Sequence, residues 1–310
     1  MMGMENAVDQ GEAVLPYRFM PPTAVPVEDT GNGRLYRDVQ YALITGFRPL
    51  LLDLTVPHGR SGPVPVVVYI HPGAWLTGSH KPTATYRCAR AIQASLLAAG
   101  VAVAWVQYRL SSEALFPACL HDVASAVRWL RHFAHDLGID PDRIGSWGES
   151  AGGHLSTFLA LNLTDDTLTG SVGVTGAGST IQAAVSWYPA TDFLAMHAQA
   201  LPGAKADHDA PDSPESRLIG AGLRSAPDRA RRASPITWVN AAAAPLLCVH
   251  GENDLTIPPQ QSATLCQAWR VVGTEARLTL VPDADHQLVG VDPTPYIALS
   301  TAFLLHQLGR

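Results

Sequence analysis

Long apolar runs are missing. No stretch of 18 uncharged hydrophobic residues occurs in the 310-residue chain, which excludes a membrane-spanning helix. Charge is sparse as well, at 15% of residues, and the net charge of −6 with a pI near 6.0 speaks against nucleic acid or an anionic membrane as partner. The first residues, MMGMENAVDQGEAVLP, lack the basic segment and the apolar core of a secretory leader, so a cytoplasmic protein is expected. The cysteines (Cys88, Cys119, Cys248 and Cys266) are few and far apart, which argues against a disulfide or zinc framework and for reduced core residues. There is no internal repeat and no low-complexity tract.

What is present is apolar: 47% of residues are hydrophobic, in a length that suits one large α/β domain or two small ones. Residues 1–33, rich in proline, glycine and acidic groups, read as an extended arm whose Tyr17, Phe19 and Met20 need something to pack on. Strand-like runs follow at 35–43 and 49–57, then short continuous apolar runs at 64–70, 101–108, 143–148, 181–188, 245–250 and 276–281. Runs this apolar suit parallel strands covered on both faces. Helical patterns separate most of them, the clearest in CLHDVASAVRWLRHFAHD, with others at 82–99, 151–161, 259–272 and 294–308. The expected fold is therefore a doubly wound, mostly parallel sheet flanked by helices in a single domain over 34–310. Residues 170–178 read as a flexible loop, and 195–235 as a polar insertion that, with the arm, is expected to form a small lid.

Within this frame the stretch SWGESAGGH stands where a strand gives way to a helix. Glycines there weaken both elements, by about 1 kcal/mol each inside a helix, so the backbone must need to be tight. Gly148-Glu149-Ser150-Ala151-Gly152 matches G-x-S-x-G in its proper strand–turn–helix context, which would hold the Ser150 hydroxyl exposed on a strained turn. The plain alternative is a tight turn. A phosphate loop is disfavoured because no Lys-Ser/Thr pair follows the glycines.

A serine nucleophile needs a base. His132 and His135 have metal-ligand spacing on one helix but lack a third ligand, so no metal is expected. His154 shares the helix that follows Ser150 and should point away from the reacting face, and His250 should structure its own turn. His286, on the loop after the last strand, is the best candidate base. Asp254, after the strand PLLCVH, is the matching acid, with Glu252 as the alternative and Asp283 and Asp285 too close to His286 in sequence. The N–H groups of Gly73 and Ala74, in the loop HPGAW after the strand VVVYI, and of Ala151 could receive an oxyanion; Pro72 has no N–H to offer. Candidate substrate contacts are Trp75, Leu76, Glu149, Trp187 and Phe193, with the last two expected to shape an apolar acyl pocket.

The set HPGAW, YRLSSEALFPACLHDVASAVRWLR, DPDRIGSWGESAGGHL and HGENDLTIP, in the order Ser…Asp…His, resembles the α/β-hydrolase esterase/lipase family, in the branch related to hormone-sensitive lipase and bacterial feruloyl-esterase-like enzymes. The resemblance covers roughly residues 35–310. It implies an eight-stranded, mostly parallel sheet, no metal or organic cofactor, and hydrolysis of carboxylic esters, with Ser150 as nucleophile, His286 as base, Asp254 as acid, and Gly73, Ala74 and Ala151 as the oxyanion hole; the pocket expected at Trp187 and Phe193 would favour small to medium esters. Two departures stand out. Pro72 and Ala74 replace glycines of the family's usual H-G-G-G loop, and DADHQ replaces the usual G-x-G-H-G around the histidine. An amidase, a carbamate hydrolase or an acyltransferase would use the same groups, and a catalytically silent, ligand-binding hydrolase fold is the reading of another class. The expected partner is a small-molecule ester, and the arm or the insertion is a candidate homodimer surface.

Overall fold

The apolar runs become strands of one sheet, and the covering helices come from the segments between them. The computed structural model describes residues 19–59, 61–204 and 206–309. The strands are β1 (Val27–Asp29), β2 (Gly33–Leu43), β3 (Pro49–Pro57), β4 (Val64–Ile70), β5 (Ala102–Val106), β6 (Ile139–Glu149), β7 (Ala183–Trp187), β8 (Leu246–Gly251) and β9 (Ala276–Val281). Among them run α1 (Ala89–Ala98), α2 (Ala118–His132), α3 (Ala134–Leu137), α4 (Ala151–Ala160), α5 (Asp166–Thr169), α6 (Met196–Gln199), α7 (Pro214–Ile219), α8 (Pro227–Arg232), α9 (Gln260–Val271) and α10 (Thr294–Leu308).

The sheet order is β1-β2-β3-β5-β4-β6-β7-β8-β9. Strands β4 to β9 are mutually parallel, whereas β1, β2 and β3 join the edge in antiparallel fashion. Among the described residues the sheet thus has nine strands where eight were expected. The extra strand, β1, is three exposed residues paired to β2 through Val27 and Tyr36, and it carries no apolar alternation that would announce it.

Alternation along β4 explains the two cores. Val66, Val68 and Ile70 point into a layer shared with α2, α4 and α9, while Val67 and Tyr69 point into a layer shared with α1 and α10. Both faces are dry, so every residue of the strand's centre is apolar. The described part of the arm packs on the flank of α2 rather than over a site. Phe19 meets the rings of His132 and Phe133 edge-on, and Trp129 Nε1 donates to the Met20 carbonyl at 2.8 Å. Tyr17 and the rest of the arm before it lie outside the described residues.

Helix α4 lies so close to the sheet that it has no room for a side chain at Gly152 or Gly153 on its first turn. A Cβ on Gly152 would stand 2.0 Å from the Ile70 carbonyl oxygen, and one on Gly153 2.8 Å from that of Trp187. Because the obstacle is backbone, Gly152→Ala is expected to cost about 3 kcal/mol or more of stability. Gly62→Ala, with nothing near its Cβ, should stay within about 0.5 kcal/mol. Urea denaturation of the two variants beside wild type measures the difference.

Candidate active site

The carboxyl ends of β4, β6, β8 and β9 deliver the chemistry-bearing residues to one edge of the sheet, as expected for an open parallel sheet. Ser150 links β6 to α4 with φ 55° and ψ −117°, a left-side conformation that a non-glycine residue rarely adopts. The turn is held from both sides. The Ser150 N–H donates to the Trp187 carbonyl at 2.9 Å, and the Ser150 carbonyl accepts from His154 at 2.9 Å. Gly148 faces the Gly152 carbonyl, which a Cβ would approach to 2.0 Å. The glycines of the motif therefore serve close backbone contact, and the serine carries the strain.

Ser150, Asp254 and His286, 104 and 32 residues apart in the chain, meet in space. His286 Nε2 lies 3.1 Å from Ser150 Oγ, and His286 Nδ1 lies 2.7 Å from Asp254 Oδ2. Asp254 is buried, and its Oδ1 accepts the Thr256 and Ile257 N–H groups at 2.8 Å each. Burial works against its charge, yet hydrogen bonds and charge from His250 and His286 hold its carboxyl well below the usual range. His250, fully buried, donates from Nε2 to the Ile257 carbonyl at 2.9 Å and accepts from Ser262 at Nδ1, so it braces the Asp254 turn. Glu252, the alternative acid, is exposed on that turn.

The β4 loop is equally constrained. Gly73, Ala74 and Trp75 all have positive φ, at 127°, 55° and 57°. Among the described residues, the N–H groups of Gly73, Ala74 and Ala151 make no hydrogen bond. His71 lies stacked on Tyr108 at 4.2 Å and turns Nδ1 to the Pro72 carbonyl at 2.8 Å; burial lowers its pKa to about 4, so it is neutral there. The loop bearing His286 is pinned by Arg87, whose guanidinium donates to the carbonyls of Gln287, Leu288 and Val291. Sequence reasoning missed Arg87 and His250's bond to Ser262, because carbonyl and hydroxyl clamps leave no motif.

Four of the five candidate substrate contacts lie elsewhere than expected. Trp187 is fully buried against Trp147 in the α1/α10 layer and donates Nε1 to Ser300 Oγ at 3.0 Å, so it does not shape a pocket. Phe193 is likewise buried, stacked on His154 with a centroid distance of 5.4 Å. Trp75 closes the same cluster from 4.9 Å above His154. Glu149 is buried, with its carboxylate taken by the hydroxyls of Tyr69 and Tyr188. Leu76 alone remains half-exposed. His154 does point away from the serine, donating Nε2 to the Ala233 carbonyl at 2.8 Å. That bond, with Ser234 Oγ accepting the Phe193 N–H and His208 Nε2 meeting the Thr256 carbonyl, ties the 195–235 insertion to α4 and to the Asp254 loop.

Among the described residues, the grouping of acidic and histidine side chains at Asp38, Asp53 and His80 holds the Lys81 ammonium, 2.7 Å from Asp53 and 2.8 Å from Asp38. The cysteines are free and buried, and no helix among the described residues is long and apolar enough to cross a membrane.

A serine on a strained strand–helix turn, in hydrogen-bond reach of a histidine held by a buried aspartate at the edge of this sheet, defines an α/β-hydrolase fold. The chain belongs to the hormone-sensitive-lipase-like esterase family of that fold, and its residues 52–269 match the family model BD-FAE. Among curated relatives it is 29% identical over 257 residues to the esterase LipQ of Mycobacterium tuberculosis, covering 80% of this chain and 56% of that protein. It is 32% identical over 228 residues to the probable carboxylic ester hydrolase LipM of the same organism, covering 72% and 48%. The chain thus spans about half the length of these relatives. A solved carbohydrate esterase from gut microbiota, in truncated form, superposes with a TM-score of 0.80 at 30% identity, over 92% of this chain and all of that one. Esterase Est2 of Thermogutta terrifontis shares the fold, with a TM-score of 0.68 at 22% identity, over 89% and 92% of the two chains.

Burial also makes the site acid-sensitive. His71 and His154 are both lowered by burial from 6.5 to about 4. The unfolded chain therefore binds their protons first, and stability is full above about pH 6.5 and erodes as the pH falls from there towards 4. Urea midpoints at stepped pH should drop across that window; a flat profile would overturn the neutral assignment of both rings.

Proposed function

We propose that the protein hydrolyses small to medium carboxylic esters through an acyl-enzyme on Ser150. The observation that carries this reading is the unbroken path Ser150 Oγ–His286 Nε2 at 3.1 Å and His286 Nδ1–Asp254 at 2.7 Å, beside three N–H groups with no partner among the described residues. Membership of an esterase family supports the choice of esters over other acyl compounds. In this mechanism His286 Nε2 takes the Ser150 proton as Oγ attacks the ester carbonyl. The N–H groups of Gly73, Ala74 and Ala151 receive the negative oxygen, and Asp254 balances the imidazolium. The proton then passes from Nε2 to the departing alcohol. Water, deprotonated by the same nitrogen, attacks the acyl-enzyme and releases the acid, returning Ser150. The chain's own groups supply each step.

The size filter falls to residues other than the buried aromatic trio, with Leu76 and the 195–235 insertion as the best placed. Likeness to a carbohydrate esterase makes acylated sugars a substrate class to include.

Rates on p-nitrophenyl esters from acetate to decanoate test the proposal. Ser150→Ala should lose activity on the order of a million-fold, the loss typical of a removed nucleophile; equal rates for both proteins would exclude Ser150. Trp187→Ala, in contrast, should cost about 3–5 kcal/mol of stability while the ratio of acetate to decanoate rates stays as in wild type. A changed ratio would return Trp187 to the pocket.

A further inference from the structure

We propose that Glu149 is a positioning residue for His286: a second buried carboxylate that, through Tyr188, fixes the imidazole from below and stabilises its protonated form. The inference rests on the ester-hydrolysis reading above and assigns a new part in that reaction.

Strand parity places Glu149. Strand β6 continues to residue 149, so Glu149 follows Trp147 to the α1/α10 side of the sheet while the turn carries Ser150 upward. There one carboxylate oxygen accepts from the Tyr69 hydroxyl and the other from the Tyr188 hydroxyl. Both phenols are fully buried, and burial next to Glu149 pushes them well above their ordinary pKa, so they keep their protons and donate. Tyr188 stands in a left-side backbone conformation with φ 39°, its N–H held by the Val249 carbonyl at 2.8 Å. Its ring meets the His286 ring edge-on, 4.8 Å between centroids at 61°. Glu149, Tyr188 and His286 thus form a continuous chain of contacts, through the phenol hydroxyl and then the edge-on rings.

Burial raises the Glu149 pKa above its ordinary value, and the two phenol bonds and the charge on His286 offset that rise only in part. The charged or titratable groups around the pair are few. The His286 ring meets Asp254 after β8, Ser150 after β6 and Tyr188 just past β7, while Asp285 on its own loop takes its backbone N–H and His250 contacts Asp254. Glu149 faces Tyr69 from β4, Tyr188 just past β7 and Cys88 ahead of α1. Among the described residues, no lysine or arginine bonds the Glu149 carboxylate, so the cation nearest in function is the imidazolium that forms when His286 takes the serine proton. Two phenol donors keep the carboxylate solvated without neutralising it.

The test is the pH dependence of p-nitrophenyl acetate hydrolysis by wild type, Glu149→Gln and Tyr188→Phe. Removing the negative charge makes the imidazolium less stable, so His286 becomes a free base at lower pH. The acid limb of kcat/KM should move down by about half a pH unit or more in Glu149→Gln, with kcat reduced about tenfold or more and KM nearly unchanged. Tyr188→Phe keeps the ring but removes the link, and should move the limb in the same direction by less. A purely structural carboxylate would lower activity and leave the limb in place, so an unmoved limb in folded variants, checked by circular dichroism, overturns the proposal. If Glu149→Gln fails to fold, Tyr188→Phe decides. Ser150→Ala separates the two claims: should it match wild type, the ester reading itself fails. If the serine is essential and the limb stays, only the role of Glu149 fails.

Discussion

The contact between the first turn of α4 and the carbonyl end of β4 governs the rest of this molecule. Gly152 sits where a single added carbon would be 2.0 Å from the Ile70 oxygen, so helix and strand touch backbone to backbone. That closeness forces the chain to reverse within one residue after β6. Ser150 absorbs the reversal in a conformation that costs of order 1–3 kcal/mol, and the Trp187 carbonyl returns part of it by taking the serine N–H. The same approach puts the start of α4 beside the β4 loop, so the free N–H of Ala151 and those of Gly73 and Ala74 belong to adjoining segments. The strained turn at Ser150 and the unpaired N–H groups beside it thus come from one packing constraint.

Much of this was legible in the sequence, for reasons that can be assigned. Apolar runs bounded by turn residues mark eight of the nine strands, most clearly the central parallel ones from β4 to β8, which are dry on both faces. The serine, the aspartate and the histidine were found because each follows such a run, and carboxyl ends of parallel strands share an edge. The substrate contacts were misread for an equally physical reason. Whether Trp187 or Glu149 faces a pocket or the core depends on a single step of register, and a one-residue change in where a strand ends reverses the answer. For Glu149 the strand persists one residue further than the sequence reading of 143–148 allows, whereas Trp187 lies inside the strand that was read and takes its inward side. Phe193 and Trp75 were misplaced differently. Their partner is His154, a polar residue that sequence patterns do not mark as the centre of an aromatic cluster.

The support around the site is built from backbone carbonyls and buried imidazoles more than from ion pairs. Arg87 binds the His286 loop through three carbonyls, and His250 braces the Asp254 turn through one more. His154 and His208 anchor the insertion through the carbonyls of Ala233 and Thr256. Such bonds depend on backbone position and not on the identity of the residue contacted. The loops can therefore vary in side chain while keeping their geometry.

The distances along the chain between Ser150, Asp254 and His286 have a consequence for synthesis. A chain emerging from the ribosome in order can complete β6, the turn and α4 long before β8 and β9 exist, since domains assemble as their segments become available. During that interval it presents a serine hydroxyl with neither base nor acid. The imidazole arrives only with the last strand, and its loop is pinned by Arg87, nearly 200 residues earlier. The three side chains are thus brought together last, by the closure of contacts that span 136 and 32 residues of chain.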